Sequence, residues 1–145
     1  NPQSRGNVHI VSRDHRVAPS IDPNYLSAEQ DKIVAAQSIK LARRIISQPA
    51  MKKYNPQEFA PGIQFQSEED LKKVAGDIGT TIFHPVGTCK MGQDEMSVVD
   101  EKLKVRGINN LRVIDASIMP NITSGNTNAP TIMIAEKGAD MILQQ

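Results

Sequence analysis

The sequence has little of several features that would define a class of protein. Its 145 residues include a single cysteine, Cys89, so neither an internal disulfide nor a cysteine-rich zinc site is expected. Lysine and arginine number 17 against 16 aspartates and glutamates, a net charge of +1 that offers nucleic acid no attracting field. No apolar run approaches the roughly 18 residues of a membrane span. These absences predict a soluble domain without bound metal or nucleic acid.

The chain begins without an initiator methionine, and its first residues do not predict a targeting leader. Its first residues, Asn1 to Ser4, are polar instead of a charged start followed by an apolar block. We therefore expect a processed protein or an excised fragment. One unpaired thiol suits a reducing compartment, which favours the cytoplasm.

The first third of the chain is predicted to be a strand followed by a helix and a loop. Val8 and Ile10 alternate with small or polar neighbours, which is the period of a half-buried strand. Ser27, followed three residues later by glutamine, reads as a capping box and predicts a helix to Ser47 with one core face. Three prolines then interrupt residues 48–66, which are predicted to be a helical turn and a long loop.

A second helix is predicted after Ser67. Three acidic residues follow this serine, as at a helix N-terminus, and Leu71, Val74 and Ile78 form an apolar stripe that ends at Gly79. The helical period is then lost until Pro130, which suits the first turn of a final helix.

Between these helices, short β-branched runs predict brief strands at residues 98–99, 103–105 and 111–114, joined by turns. The whole chain is therefore predicted to be an α+β fold with antiparallel strands and flanking helices.

His84 is the first candidate for chemistry. It stands beside proline and near two glycines in irregular residues 80–92, where an imidazole can exchange protons as a general base for an alcohol. The alternative is a histidine that caps a turn or satisfies a buried carbonyl. Cys89, five residues on, would be the nucleophile of a thiol hydrolase, although nothing supplies its orienting partner.

Residues 124–131, just before the final helix, are the second candidate. A helix N-terminus offers unpaired N–H groups, and Asn126 and Asn128 add donors that suit an anion or an electron-rich ring edge. Simple helix capping is the alternative. Asp115 ends an apolar run where ligands frequently sit, or it caps the following turn.

These segments together resemble the C-terminal region of the glucose-methanol-choline oxidoreductases. The resemblance is carried in one continuous order by residues 84–92, 97–100, 111–120 and 125–140, and more loosely by the chain before residue 47. Residues 124–130 resemble aliphatic alcohol and insect glucose dehydrogenases slightly more than choline dehydrogenases, which tend to have leucine where Thr127 stands.

The resemblance implies an FAD-dependent alcohol or choline dehydrogenase that oxidises a primary alcohol to an aldehyde. His84 would be the base for the substrate hydroxyl proton, and Asn126 would bond the substrate oxygen. A quinone or respiratory carrier is the expected electron acceptor, and it would associate an otherwise cytoplasmic protein with a membrane. The residues implied to contact FAD are Asp115, Ala116, Asn128, Ala129, Pro130 and Thr131.

The sequence departs from a complete flavoprotein in one respect. None of its nine glycines forms the Gly-x-Gly-x-x-Gly pattern that binds a dinucleotide. We therefore expect residues 1–145 to be a C-terminal substrate-domain fragment, ending in a strand and helix that rejoin an N-terminal FAD domain, and to retain no FAD alone. The alternative is a noncatalytic binding module that keeps the fold without flavin.

Overall fold

The computed structural model describes residues 1–144; Gln145, the last residue of the predicted domain, lies outside the described part. The chain forms two compact units, one of residues 2–80 and one from residue 81 onward that also includes Asn1. Helices and short antiparallel strands are both present, which confirms the predicted α+β class. Within residues 1–144, no helix is long and apolar enough to cross a membrane.

The first unit opens with a two-stranded antiparallel ribbon. Strand β1 (Asn7–His9) pairs with β2 (Ser20–Asp22), and Val8 lies opposite Ile21. The predicted strand is confirmed, but its predicted half-burial is wrong because every residue of the ribbon is exposed. Alternation identifies an apolar face, yet burial also requires a layer to cover that face.

Helix α1 spans Glu29–Ile46, and its N-terminus differs from the prediction. The N-cap is Ala28 and no side chain caps the helix, so the predicted capping box at Ser27 is wrong. The Ala28 N–H instead donates to the Ser4 hydroxyl oxygen at 3.1 Å. The Asp31 carboxylate in the first turn accepts the N–H groups of two successive residues of that N-terminal segment at 2.7–3.0 Å. A distant segment therefore organises this helix start.

Helix α2 (Glu68–Ile78) follows the prediction closely. The Ser67 hydroxyl accepts the Asp70 N–H at 3.1 Å, and Gly79 is the C-cap. Its apolar stripe buries Leu71 and Val74.

The two helices pack on each other around a small core. The buried residues are Ala36, Leu71 and Val74, and Ile39 and Phe65 pack against them. The predicted core face of α1 is correspondingly narrow, because Ala36 is its only buried residue. The apolar side chains whose helical spacing predicted this face are half-buried at Ile33 and exposed at the other four positions: Val34, Leu41, Ile45 and Ile46.

Residues 48–66 form the predicted turn and loop, and one arginine organises the loop. The turn is a 3-10 helix at Pro49–Tyr54. The Arg43 guanidinium, on the last turn of α1, donates to both carboxylate oxygens of Glu58 at 2.9 and 2.7 Å. It also donates to the carbonyls of Gly62 and Phe65 at 3.0 and 2.8 Å. The loop is thus tied to α1 at three points.

The core of the second unit consists of Val99, Leu103, Ile118, Met119 and Ile134. The predicted brief strands are isolated bridges here: Val99 bridges both Met91 and Val105, and Lys104 bridges Arg112. The Asp100 carboxylate explains why they do not extend. It accepts the N–H groups of Lys102 and Lys104, both at 2.9 Å, which closes a tight turn between the apolar runs.

Helix α3 (Asn128–Leu143) is the predicted final helix, with Pro130 in its first turn. It approaches the 111–114 run closely at Gly138. A Cβ placed on this glycine would lie 2.5 Å from Cγ2 of Ile114, so any larger residue would force the Ile114 side chain or the helix to shift. The contact fixes α3 against the residues that precede Asp115.

Candidate active site

The segment that carries His84 is irregular but anchored. The N–H of Cys89 donates to the Ser117 carbonyl at 3.0 Å, and the N–H of Met91 donates to the Ile118 carbonyl at 2.8 Å. These bonds tie it to the short 3-10 helix Ala116–Ile118. Phe83, immediately before the histidine, has a φ of 64°, an unusual conformation for a bulky side chain. Strained backbone of this kind is often found at functional sites.

His84 is held by a residue 43 positions later in the chain. Its ring Nδ1 lies 2.6 Å from the hydroxyl oxygen of Thr127. His84 is half-buried, whereas Thr127 is only 8% exposed. Within residues 1–144 the imidazole makes no other hydrogen bond, so Nε2 is left for an external partner. The arrangement suits an imidazole that exchanges a proton at Nε2.

Thr127 is also the N-cap of α3, but it does not cap the helix. Its backbone is already in the right-handed helical region and its side chain makes no cap hydrogen bond. The usual acceptor position is lost because the third helical residue, Pro130, has no N–H to donate. Capping by Asn126 or Asn128, the alternative raised by the sequence, is therefore wrong.

The first turn of α3 consequently has two free N–H donors. The N–H groups of Asn128 and Ala129 bond to nothing in residues 1–144, and both residues are exposed. Thr131 differs, since its N–H and hydroxyl both donate to the Thr127 carbonyl, at 3.0 and 2.7 Å. Of the four predicted flavin contacts on this helix, only Asn128 and Ala129 retain a backbone donor.

Asn126 is exposed and makes no hydrogen bond with His84. Its Cα is nevertheless about 3.8 Å from that of Thr127, which touches the imidazole. Asn126 is therefore the chain neighbour of the residue that contacts His84, and no hydrogen bond within residues 1–144 joins Asn126 to the imidazole.

Asp115 caps the short 3-10 helix. Its carboxylate accepts the N–H of Ser117 at 2.8 Å and also bonds the Ser117 hydroxyl, and Ala116 is the first residue of that helix. The capping alternative for Asp115 is confirmed. A flavin contact through the backbone of Asp115 and Ala116 stays a prediction.

The thiol-hydrolase alternative finds no matching geometry in the described residues. The Cys89 thiol is partly buried and shares no hydrogen bond with His84, so the pair expected of a thiol hydrolase is not formed. Across residues 1–144, no group of three or more His, Cys, Asp or Glu side chains is placed to hold a metal ion.

The loop that follows the histidine segment is stabilised by an ion pair between Lys90 and Asp94. Lys90 donates to the Asp94 carboxylate at 3.0 Å, and the Ser97 hydroxyl donates to it at 2.9 Å. Together with the Met96 N–H, these partners lower the pKa of Asp94 to about 2, with Lys90 the largest cause. The carboxylate therefore remains charged at any physiological pH.

Comparison with known proteins identifies the class of enzyme to which this site belongs. A family model described as GMC oxidoreductase, for the C-terminal part of those enzymes, matches residues 2–135. The chain belongs to the GMC (glucose-methanol-choline) oxidoreductase family, which confirms the resemblance found in the sequence.

Particular relatives narrow the comparison. The chain is 55% identical to an oxygen-dependent choline dehydrogenase of Citrobacter koseri over 96% of its own length. It is 52% identical to the enzyme of that name from Pseudomonas syringae pv. tomato, again over 96% of its length. These alignments cover 25% and 24% of the two relatives, so the chain spans about a quarter of the curated proteins it matches.

Solved structures show the same fold. A pyridoxine 4-oxidase from Mesorbium loti superposes with a TM-score of 0.89 at 33% identity, covering 99% of this chain and 28% of that one. A formate oxidase from Aspergillus oryzae RIB40, studied for modification of its FAD, gives a TM-score of 0.89 at 29% identity, with 98% and 25% covered. The α+β chain therefore matches about a quarter of each of these enzymes.

Sequence reasoning missed Thr127, the residue that holds His84. No local pattern pairs two residues 43 positions apart, and threonine before a helix is ordinarily a cap. The one available signal was Pro130, which removes the N–H that such a cap would satisfy.

Proposed function

We propose that this chain is the C-terminal catalytic part of an FAD-dependent oxidoreductase that oxidises a primary alcohol to an aldehyde. The single observation that carries the proposal is the state of His84. Its Nδ1 is engaged by Thr127 while Nε2 has no partner in residues 1–144, which is the arrangement a general base requires. Membership of the GMC family supports the same reading.

The residues around His84 fit a flavin. The free N–H groups of Asn128 and Ala129 lie at the positive end of α3, where they suit the electron-rich edge of the ring. We propose that these two groups, the adjacent Pro130 and Thr131, and the backbone of Asp115 and Ala116 hold FAD. When bound, FAD supplies a hydride acceptor at N5.

Two residues of this chain accept the substrate proton and orient the substrate. The alcohol loses its hydroxyl proton to Nε2 of His84. The carbinol hydrogen leaves with both electrons of its C–H bond, as a hydride, while the C=O bond forms. The amide of Asn126 donates a hydrogen bond to the substrate oxygen. Once protonated, the imidazole still donates its Nδ1–H to Thr127, so the ring keeps its position through the step.

We propose that the rest of the active site comes from an N-terminal FAD-binding part that packs on exposed apolar side chains of this chain. Ile10 in the first unit is 89% exposed and Leu143 in the second is 83% exposed. Covering such side chains would remove apolar surface from water, which favours association. Without that part, this chain is not expected to retain FAD.

Choline is the first substrate to test, because the curated relatives are named for it. The similar solved structures are named for pyridoxine and formate, so the fold alone does not select the alcohol. For the electron acceptor we propose a quinone or respiratory carrier, which would bring the protein to a membrane surface. Oxygen is the alternative that the names of the relatives suggest.

The test is anaerobic flavin reduction in the full-length protein, mixed in turn with choline, an aliphatic alcohol and glucose. We expect one of them to bleach the flavin, and His84→Ala to slow that reduction about 100-fold or more. His9→Ala, at an exposed histidine of β1, is the matched control and should leave the rate unchanged. Reoxidation by oxygen or by a soluble quinone then identifies the acceptor.

An unchanged rate in His84→Ala would exclude the proposed role. A full-length protein that neither contains flavin nor takes it up would instead support the noncatalytic binding module.

A further inference from the structure

We propose that Thr127 is a positioning residue that sets the tautomer of His84, so that Nδ1 carries the proton and Nε2 is the base. This inference rests on the proposed function and names the residue that makes His84 competent for it. It assigns a role to a side chain that neither the sequence pattern nor the helix geometry explains.

The geometry limits the choice to two arrangements. A separation of 2.6 Å between Nδ1 and the Thr127 oxygen leaves room for one hydrogen. If the hydroxyl donates, the proton of the neutral imidazole is on Nε2 and that nitrogen can accept nothing. If Nδ1–H donates, Nε2 presents its lone pair to the substrate.

Only the arrangement in which Nδ1–H donates to Thr127 keeps the same hydrogen bond before and after proton transfer. After the imidazole takes a proton, both ring nitrogens are donors, and Nδ1–H can bond only to an acceptor. A threonine hydroxyl accepts in both charge states of the ring, so no hydrogen bond breaks as the proton arrives. A side chain without an acceptor would leave Nδ1–H unpaired beside a buried neighbour, which is costly.

The helix does not need this hydroxyl. The N-cap makes no side-chain bond to the first turn, and Pro130 offers no N–H where a cap usually bonds. Thr127 is nevertheless buried, and its only side-chain hydrogen bond in the described residues is to the imidazole. The side chain is therefore placed to serve His84.

The test uses the full-length holoenzyme with ¹⁵N-labelled histidine rings, the His84 signals being assigned by their loss in His84→Gln. In the parent protein we expect Nδ1 to be protonated and Nε2 to be unprotonated. Thr127→Val keeps the shape and removes the hydroxyl, so the Nε2–H tautomer should appear and flavin reduction should slow about 10-fold, the equivalent of one hydrogen bond. FAD content should not change.

Two further variants separate positioning from packing. Thr127→Ser restores the hydroxyl and should restore both the tautomer and the rate. Thr123→Val removes an exposed hydroxyl that donates to the Gly125 carbonyl at 3.3 Å and not to the imidazole, and it should alter neither the tautomer nor the rate. An Nε2–H tautomer in the parent protein, or an unchanged tautomer in Thr127→Val, would overturn the inference.

The proposed function can fail separately. If His84→Ala leaves flavin reduction unchanged, the base assignment is wrong, yet the ¹⁵N signals still report whether Thr127 sets the tautomer. If His84→Ala is inactive while Thr127→Val keeps the parent tautomer, only the role of Thr127 is wrong.

Discussion

Arg43 and Glu58 are joined by two parallel hydrogen bonds, with guanidinium nitrogens 2.9 and 2.7 Å from the two carboxylate oxygens. This fork geometry is available to arginine and not to lysine. The same carboxylate accepts the Gly62 N–H at 3.0 Å, so the pair connects helix α1 to the middle of the loop. The guanidinium also lowers the pKa of Glu58 below its ordinary value.

Replacing the fork should loosen the loop without unfolding the helix. We expect Arg43→Lys to speed hydrogen exchange at the Gly62 amide about 10-fold, because one charge-assisted contact replaces several. Arg44→Lys, the neighbouring arginine of the same helix, should have no such effect. Equal hydrogen exchange at the Gly62 amide in both variants would show that the Arg43–Glu58 pair does not order the loop.

The two helical glycines Gly76 and Gly138 should respond oppositely to alanine. A Cβ at Gly76 would meet its nearest neighbour at 3.8 Å, so Gly76→Ala should stabilise by up to about 1 kcal/mol through helix propensity. At Gly138 it would lie 2.5 Å from Ile114 Cγ2, and we expect a net loss of about 1 kcal/mol or more from overpacking.

Urea unfolding measures both changes. Combining Gly138→Ala with Ile114→Ala removes the clash, so the double variant should be less destabilised than the two single losses added together. Simple additivity would contradict the steric explanation.

The lowered pKa of Asp94 predicts that the stability of its loop decreases at low pH. Its pKa is lowered to about 2, so its contribution to stability is present above the ordinary value near 3.8 and is lost as pH falls through about 2. The carboxyl ¹³C shift of Asp94 should titrate in that low range. Lys90→Met removes the largest cause and should move the titration upward; an unmoved midpoint would show that Lys90 does not hold the carboxylate.

Asn126 should affect substrate handling and not flavin binding. If its amide bonds the substrate oxygen, Asn126→Ala should slow flavin reduction of the full-length protein about 10-fold while FAD content is kept. Asn109→Ala, at another exposed asparagine of the second unit, is the comparison variant and should leave the rate unchanged. Loss of FAD from Asn126→Ala would move this residue to the cofactor site.

Local signals predicted some elements well and others poorly. Helix α2 was predictable because Ser67, three acidic residues and Gly79 all lie within the element they bound. The α1 start was not, since the hydroxyl that meets Ala28 comes from Ser4. The predicted strands near Asp100 became bridges because one carboxylate binds two backbone N–H groups and tightens the turn.

The candidate site shows the same division. His84 and Asn126 were predicted from their own segments and from the family resemblance, whereas the contact of His84 with Thr127 depends on folding and is signalled locally only by Pro130. Periodicity found the apolar face of β1 but not its exposure, because alternation does not say what covers a face.

The exposed apolar side chains have a practical consequence for the separated chain. A net charge of +1 gives copies of the chain little mutual repulsion near neutral pH. Ile10 and Leu143 expose apolar surface through which the copies can associate. Light scattering per molecule of the purified chain should therefore rise with protein concentration at neutral pH.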